Sequence, residues 1–294
     1  MALNNDELTV EEAVAENVPK KVREELENLR TALQRLQEER HYILPVKTEK
    51  NVLRFAVAGD IHTGSLYERY DALHEFYRIL EAEGIHIVLL AGDILDGHGM
   101  YRGQEFEIYA HGLRRQIKAL KEKYPRKPGI RETFITGNHD YSFDKIADVG
   151  IGQRIADEMG WEFAGRDQAW IELKPPAGPS YNVGLYHPDG GTAYAISYKS
   201  QKFVESIPGG RKPDMVFIGH YHKAEWMPQY RNVEVFQAGC FQSQTPHMAR
   251  KPTPAHVGGW IIEVVLGKRS NKTSRVKAEF VSFYEPKEYM DETH

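Results

Sequence analysis

Five short apolar runs each end in residues able to hold a metal ion, and this recurrence constrains the fold of the 294-residue chain most. Residues 52–58, 85–91, 133–136, 182–186 and 214–218 are short and apolar, the composition of strands buried in a sheet. They lead into Gly59-Asp60-Ile61-His62, Gly92-Asp93, Gly137-Asn138-His139-Asp140, His187 and Gly219-His220-Tyr221-His222. Helical spacing occupies residues 67–83, 106–124, 151–160 and about 193–207. A loop at 174–180 separates two strands, and further strands at 233–237, 259–266 and 278–284 follow in succession. Strands alternating with helices and then following one another predict a layered α/β body with helices outside. In an open α/β sheet the C-terminal strand ends converge on one edge, where ligands bind.

The donors at those ends are Asp60, His62, Asp93, Asn138, His187, His220 and His222, with His139 beside them. All are nitrogen or oxygen donors. That chemistry suits Mn²⁺, Fe, Ni²⁺ or Zn²⁺, whereas a closed structural zinc site ordinarily uses thiolates. Seven donors exceed what one ion with an open position needs. They suit two divalent ions sharing a bridge, the arrangement that clamps the attacking and departing oxygens of a phosphoryl group. A single histidine near a strand end is ordinarily a satisfied polar residue, but an ordered set at five strand ends is not explained that way.

The set Asp60/His62, Asp93, Asn138/His139, His187 and His220/His222 resembles the calcineurin-like metallophosphoesterases, complete and in order. The resemblance implies a four-layer α/β/β/α sandwich carrying a two-metal site, with Mn²⁺ as the first expectation. It implies that Asp60, His62 and His222 hold one ion, that Asn138, His187 and His220 hold the other, and that Asp93 bridges them. It further implies that His139 is catalytic without being a ligand, facing the scissile phosphate and serving the leaving oxygen. The segments GDIHTGS (59–65), AGDILDGHGMYRGQ (91–104) and AGCFQSQTPHMARKPTPA (238–255) are most similar to the small subunits of archaeal family D DNA polymerases. That likeness implies a 3′–5′ exonuclease acting on single-stranded DNA ends. The region before residue 51 does not resemble the oligonucleotide-binding domain that precedes the catalytic part in those subunits. Phosphomonoesterase or cyclic-nucleotide phosphodiesterase activity is the alternative, because the same donors serve both. A non-catalytic polymerase partner is the third reading.

Composition divides the chain. Residues 1–50 hold 11 Asp/Glu, 8 Lys/Arg and no glycine, and all 25 glycines lie from Gly59 onward. Val22, Leu26, Leu29, Leu33 and Leu36 recur at coiled-coil spacing, and the seam runs through Arg40 to Ile43. A helical extension over 1–50 and a phosphoesterase domain over 51–294 are therefore expected. The helix would pack on the body or serve self-association or partner docking. A net charge of −4 excludes a protein that coats nucleic acid through a uniformly basic surface, but not local gripping of an end. No secretory signal or membrane span is visible, and the single Cys240 cannot form an internal disulfide. A cytoplasmic, membrane-free location is expected from this.

Several further residues carry open readings. Asp96, His98 and Tyr101 follow the bridging aspartate and are candidate substrate contacts or members of a hydrogen-bonded loop. Asp140 either orients His139 or caps the next segment. The basic stretch 267–277 is a hairpin tip or a contact to the phosphate backbone. Cys240 is expected to be a buried small residue beside the site.

Overall fold

The computed structural model describes residues 41–48, 51–147, 149–191, 193, 195–251, 254–267 and 273–284, together with Pro19 and Val22. The chain divides into two compact units, Met1–Glu39 and Arg40–His294. The expected coiled-coil seam lies outside the described residues except for Val22, whose amide donates to the Pro19 carbonyl at 2.8 Å, and Ile43.

The described residues of the second unit hold twelve strands in two six-stranded sheets. They are β1 (His41–Pro45), β2 (Val52–Ala58), β3 (Ile87–Ala91), β4 (Arg131–Ile135), β5 (Glu162–Gly165), β6 (Gln168–Lys174), β7 (Tyr181–Tyr186), β8 (Met215–Ile218), β9 (Ala224–Tyr230), β10 (Val233–Ala238), β11 (Gly258–Leu266) and β12 (Thr273–Ser282). One sheet has the order β12-β11-β2-β3-β4-β5 and the other β1-β6-β7-β8-β10-β9. The helices are α1 (Tyr70–Ala82), α2 (Leu113–Lys123), α3 (Asn138–Ala147), α4 (Ile151–Met159), α5 (Tyr198–Ser206) and the single turn α6 (Pro246–Ala249).

Side-chain alternation along the strands builds the layers. Phe55, Val57, Leu89 and Ala91 of the first sheet meet Val183, Leu185, Phe217 and Phe236 of the second, so the two sheets pack face to face. The intervening residues Ala56, Ala58, Val88 and Leu90 face outward to Leu73, Phe76 and Leu80 of α1 and to Ile155 of α4. On the far side, Val204 of α5 covers Val216, Ile218, Val233 and Val235. The result is the expected α/β/β/α sandwich, with strands buried on both faces. No helix among the described residues is long and apolar enough to cross a membrane.

Three expectations change. The extension expected over 1–50 is a strand at 41–45, because β1 pairs in parallel with β6, and the division falls after Glu39. Leu44 and Val46 alternate into the core between the sheets, a period of two that overrides the seven-residue spacing reaching Ile43. The helix expected over 106–124 begins only at Leu113, after Gly112 at φ +83°, because Tyr109 and Ala110 donate instead to the Gly64 carbonyl. The basic stretch lies away from the strand ends that carry the donors. Arg275 and Lys277 pair with Val265 and Glu263, which in turn face Val52 and Arg54 at the start of β2, whereas Asp60 follows its end. Seven residues of strand at about 3.3 Å each separate the two edges by roughly 20 Å. A contact between that stretch and a phosphate at the strand-end donors is thereby excluded for its described residues.

The helix–sheet layer buries one acid. Glu132 accepts from the Tyr77 hydroxyl at 3.2 Å, and Tyr77 also bonds the Tyr124 hydroxyl. Burial lifts the Glu132 carboxyl from 4.5 to about 7, against the lowering hydrogen bond from Tyr77. A raised acid binds its proton more tightly folded than unfolded, so its stabilising state exists below the unfolded value. That contribution is lost as pH rises through about 7. A shift of this size corresponds to about 3 kcal/mol at most. Glu132→Gln is therefore expected to be more stable than wild type at pH 8 in urea denaturation, with the gain vanishing near pH 4.5. A gain of equal size at both pH values would contradict this origin.

Candidate metal centre and cleft

The five strand ends come from both sheets. Asp60 and His62 follow β2, Asp93 follows β3, Asn138 and His139 follow β4, His187 follows β7, and His220 and His222 follow β8. Strands β2, β3 and β4 are mutually parallel, and so are β7 and β8. Each sheet thus presents its C-terminal ends on one edge, and the two edges meet.

The turns at those ends are strained. Asp60, His62, Asp93, His220 and His222 have φ between +49° and +78°, five of the nine non-glycine residues in the left-handed region among those described. Such conformations cost about 1–3 kcal/mol each and persist where the surroundings enforce them. Here the amides of Ile61 and His62 both donate to the Asp93 carbonyl, and the Asp60 amide donates to Gly92. The His220 amide donates to Asp60 Oδ1 at 2.9 Å. Gly137 is required by close approach, since a Cβ there would lie 2.1 Å from Asp93 Oδ1 and 2.6 Å from its amide nitrogen.

Among the described residues three overlapping donor sets result, one of which, His62, Asp93 and His139, draws on both of the other two and adds the His139 ring. The other two are Asp60, His62 and His222, the first cluster, and Asp93, His187 and His220, the second, with all donor atoms of each within 4.8 Å of one another. Asp93 Oδ2 lies 3.1 Å from His187 Nε2 and 3.8 Å from His62 Nε2, between the two. Asn138 Oδ1 joins the second cluster at 2.9 Å from His220 Nδ1 and 3.1 Å from His187 Nε2.

The imidazole hydrogen bonds test whether these groups fit a cation. His62 Nδ1 bonds Asp96 Oδ1 at 3.1 Å, and His187 Nδ1 bonds the Ala91 carbonyl at 2.7 Å. His220 Nε2 bonds the Gly190 carbonyl at 2.5 Å. Facing oxygen acceptors, these outer nitrogens carry the protons, which leaves the inner nitrogens bare in the neutral rings. His187 Nε2 then points a lone pair at two oxygen atoms, and His62 Nε2 lies 3.0 Å from His222 Nε2. Converging lone pairs repel unless a cation sits at their focus. The electrostatics show the same demand for positive charge at this focus, which a proton on a ring also meets. Burial pushes His187 down, but Asp93 draws it up to about 9. Burial and the neighbouring His187 push His220 down to about 4. Burial raises Asp93, yet the surrounding imidazoles hold it well below the carboxylate range. Oxygen and nitrogen donors without thiolate fit two divalent metal ions.

His139 stands beside the clusters. Its ring lies edge-on to His62, with centroids 4.5 Å apart. Its Nδ1 donates to the Asp96 carbonyl at 2.6 Å, and its amide donates to Asp93 Oδ1 at 2.9 Å. Nε2 is thereby left for a ligand in the cleft. Asp140 does not orient the ring. Its carboxylate instead accepts from the amides of Ile94, Leu95 and Gly137, tying the loop after β3 to the loop after β4.

The loop after Asp93 divides its three candidates. Asp96 is 2% exposed and accepts from His62, Gln104 Nε2 and Gln242 Nε2, so it positions a ligand, and it also lines the cleft. His98 is exposed, and the cleft lining does not include it. Tyr101 does line the cleft. Gln104, Gln116 and Gln242 are buried amides that hold this loop, and their importance was not visible beforehand. Gln104 and Gln242 do lie within the motif segments 91–104 and 238–255, a signal that Gln116 lacks. Cys240 is buried, as expected, with Sγ donating to the Gln242 carbonyl. Removing the Asp96 carboxylate charge in Asp96→Asn is expected to weaken metal binding about 10–100-fold by metal titration. Unchanged affinity would contradict its positioning role.

The clusters floor an open cleft of about 490 Å³. His62, Asp93, Asn138, His139 and His220 line its base, while Asp60 and His187 lie buried beneath.

The chain is 33% identical over 236 residues to a DNA polymerase II small subunit of Halobacterium salinarum, covering 67% of this chain and 45% of that one. It is 24% identical over 264 residues to the protein of the same name from Methanocaldococcus jannaschii, covering 73% and 43%. The chain thus spans less than half the length of these relatives. Among solved structures, Vps29 of Chaetomium thermophilum is similar at 12% identity and a TM-score of 0.39, over 80% of this chain and 98% of that one. The family model described as calcineurin-like phosphoesterase matches residues 53–224, from the second residue of β2 to the first of β9. With both donor clusters inside that span, the chain belongs to the calcineurin-like phosphoesterase family.

Proposed function

We propose that the chain is a two-metal-dependent phosphodiesterase that removes nucleotides from the 3′ ends of single-stranded DNA. The observation that carries the hydrolytic reading is the pair of donor clusters sharing Asp93 at the floor of an open cleft. The names of the relatives support a nucleic-acid substrate. Asp60, His62 and His222 would hold one ion, and Asn138, His187 and His220 the other, with Asp93 common to both. Mn²⁺ is the first choice, with Fe, Zn²⁺ or Ni²⁺ compatible with the same donors. When bound, the ions polarise the phosphoryl oxygens and lower the pKa of the attacking water.

The protein's own groups complete the chemistry. The outer hydrogen bonds of His62, His187 and His220 fix their rings before any ligand arrives, so no reorientation is needed on binding. His139, held at Nδ1 by the Asp96 carbonyl, donates a proton from Nε2 to the departing 3′ oxygen. The same carbonyl stabilises the imidazolium that donates, because Nδ1–H has an acceptor in place. Asp96 therefore couples His62, through its carboxylate, to His139, through its carbonyl.

The test is incubation of the Mn²⁺-loaded protein with 3′- and 5′-labelled single-stranded DNA, beside chromogenic phosphate mono- and diesters. The expected result is release of labelled mononucleotide from the 3′ end together with diester turnover. Turnover of the monoester alone would favour the phosphomonoesterase alternative and contradict this reading.

A further inference from the structure

One wall of the cleft lies beyond the family match. That match ends at residue 224, yet Gln242, Thr245, His247, Met248 and Lys251 all line the cleft. Thr245 is 3% exposed and caps α6, its Oγ1 accepting from the Met248 amide at 3.2 Å. The cap fixes the turn that carries His247. His247 stacks on Tyr101 from the loop after β3, with ring centroids 4.0 Å apart and planes within 23°. The Tyr101 hydroxyl donates to Glu107 at 2.7 Å, which fixes that ring from its far end. Met100 and Met248 line the same part of the cleft. Burial and the charges of Lys251 and Arg250 push His247 below the usual imidazole value, so the ring is neutral at neutral pH.

We propose that Tyr101 and His247 form a nucleobase subsite, making the preferred ligand a nucleotide and not a simple sugar phosphate. This rests on the phosphodiesterase reading and specifies its substrate. An oriented aromatic surface with adjacent thioethers suits a flat π-system, and a phosphate is accommodated at the donor clusters on the same cleft floor. Because every base offers a π-face, stacking tolerates sequence, as trimming of arbitrary ends demands. The cleft volume lies in the small-ligand range of about 300–1,000 Å³, large enough for a terminal nucleotide.

Calorimetric titration of the Mn²⁺-loaded chain with dAMP and with 2-deoxyribose 5-phosphate tests the subsite. Wild type is expected to bind dAMP about 5–150-fold more tightly than the sugar phosphate. His247→Ala and Tyr101→Ala should abolish that preference while leaving sugar-phosphate affinity unchanged, and His247→Phe should retain it. Equal affinity for the two ligands in wild type would overturn the proposal. So would variants that weaken both ligands alike, the behaviour of a latch that only joins two loops. A base preference in a protein that leaves DNA ends intact supports the subsite and refutes the exonuclease. DNA degradation without a base preference does the reverse.

Discussion

Gly137→Ala is expected to lower phosphoesterase activity by at least about 100-fold while leaving the chain folded. The added methyl would lie 2.1 Å from Asp93 Oδ1 and 2.6 Å from the Asp93 backbone nitrogen. Rotation of the Asp93 side chain can relieve only the first contact, so the loop after β3 must move. Asp93 is the group common to both donor clusters, and the His139 amide is bonded to it. A displacement of about 1 Å at such a point costs on the order of 100-fold in rate. Overpacking costs about 1–3 kcal/mol in stability, which a domain of this size survives. Gly209→Ala is the control, because a Cβ there meets nothing within 4 Å. Full activity in Gly137→Ala, with an unchanged thermal melt, would show that Asp93 is not held as described.

His139→Ala should lower kcat by about 10²–10⁴-fold on a DNA substrate, the range for loss of a positioned acid. Metal binding should be retained, because the sets Asp60, His62, His222 and Asp93, His187, His220 keep all their donors, and only the third set, His62, Asp93 and His139, loses one. The loss should shrink with a p-nitrophenyl diester, whose leaving oxygen departs without needing a proton. Kinetics on both substrates separate this role from a structural one. Equal losses on the two leaving groups, or loss of the metal ions, would contradict the assignment of His139 as acid.

The candidate metal centre was legible in the sequence because each candidate donor follows a strand that is apolar for its own reasons. Strands β2, β3, β4, β7 and β8 lie between layers, so their composition alone marks them, and the next polar residues are the donors. The single converging edge was not correct in detail, since the donors come from two sheets whose pairing is long-range. Elements without an apolar signature escaped. β9 contains Pro228 and is mostly half-exposed at a sheet edge, and β5 has four residues. β1 was absorbed into a helical spacing that Ile43 happens to continue. The helix α3, whose first turn carries Asn138, His139 and Asp140, was not among the expected helices. The partner choices of Asp96 and Asp140 were illegible for a different reason. A buried carboxylate takes whichever donors the tertiary structure delivers, and these come from residues up to 146 positions away.

Two adjacent cation sites that share Asp93 underlie the proposed chemistry, and counting bound metal tests them most directly. Equilibrium dialysis of the intact chain against Mn²⁺, followed by elemental analysis, should give two ions per chain, falling to one in His220→Ala. One ion or none in the wild-type chain would contradict it.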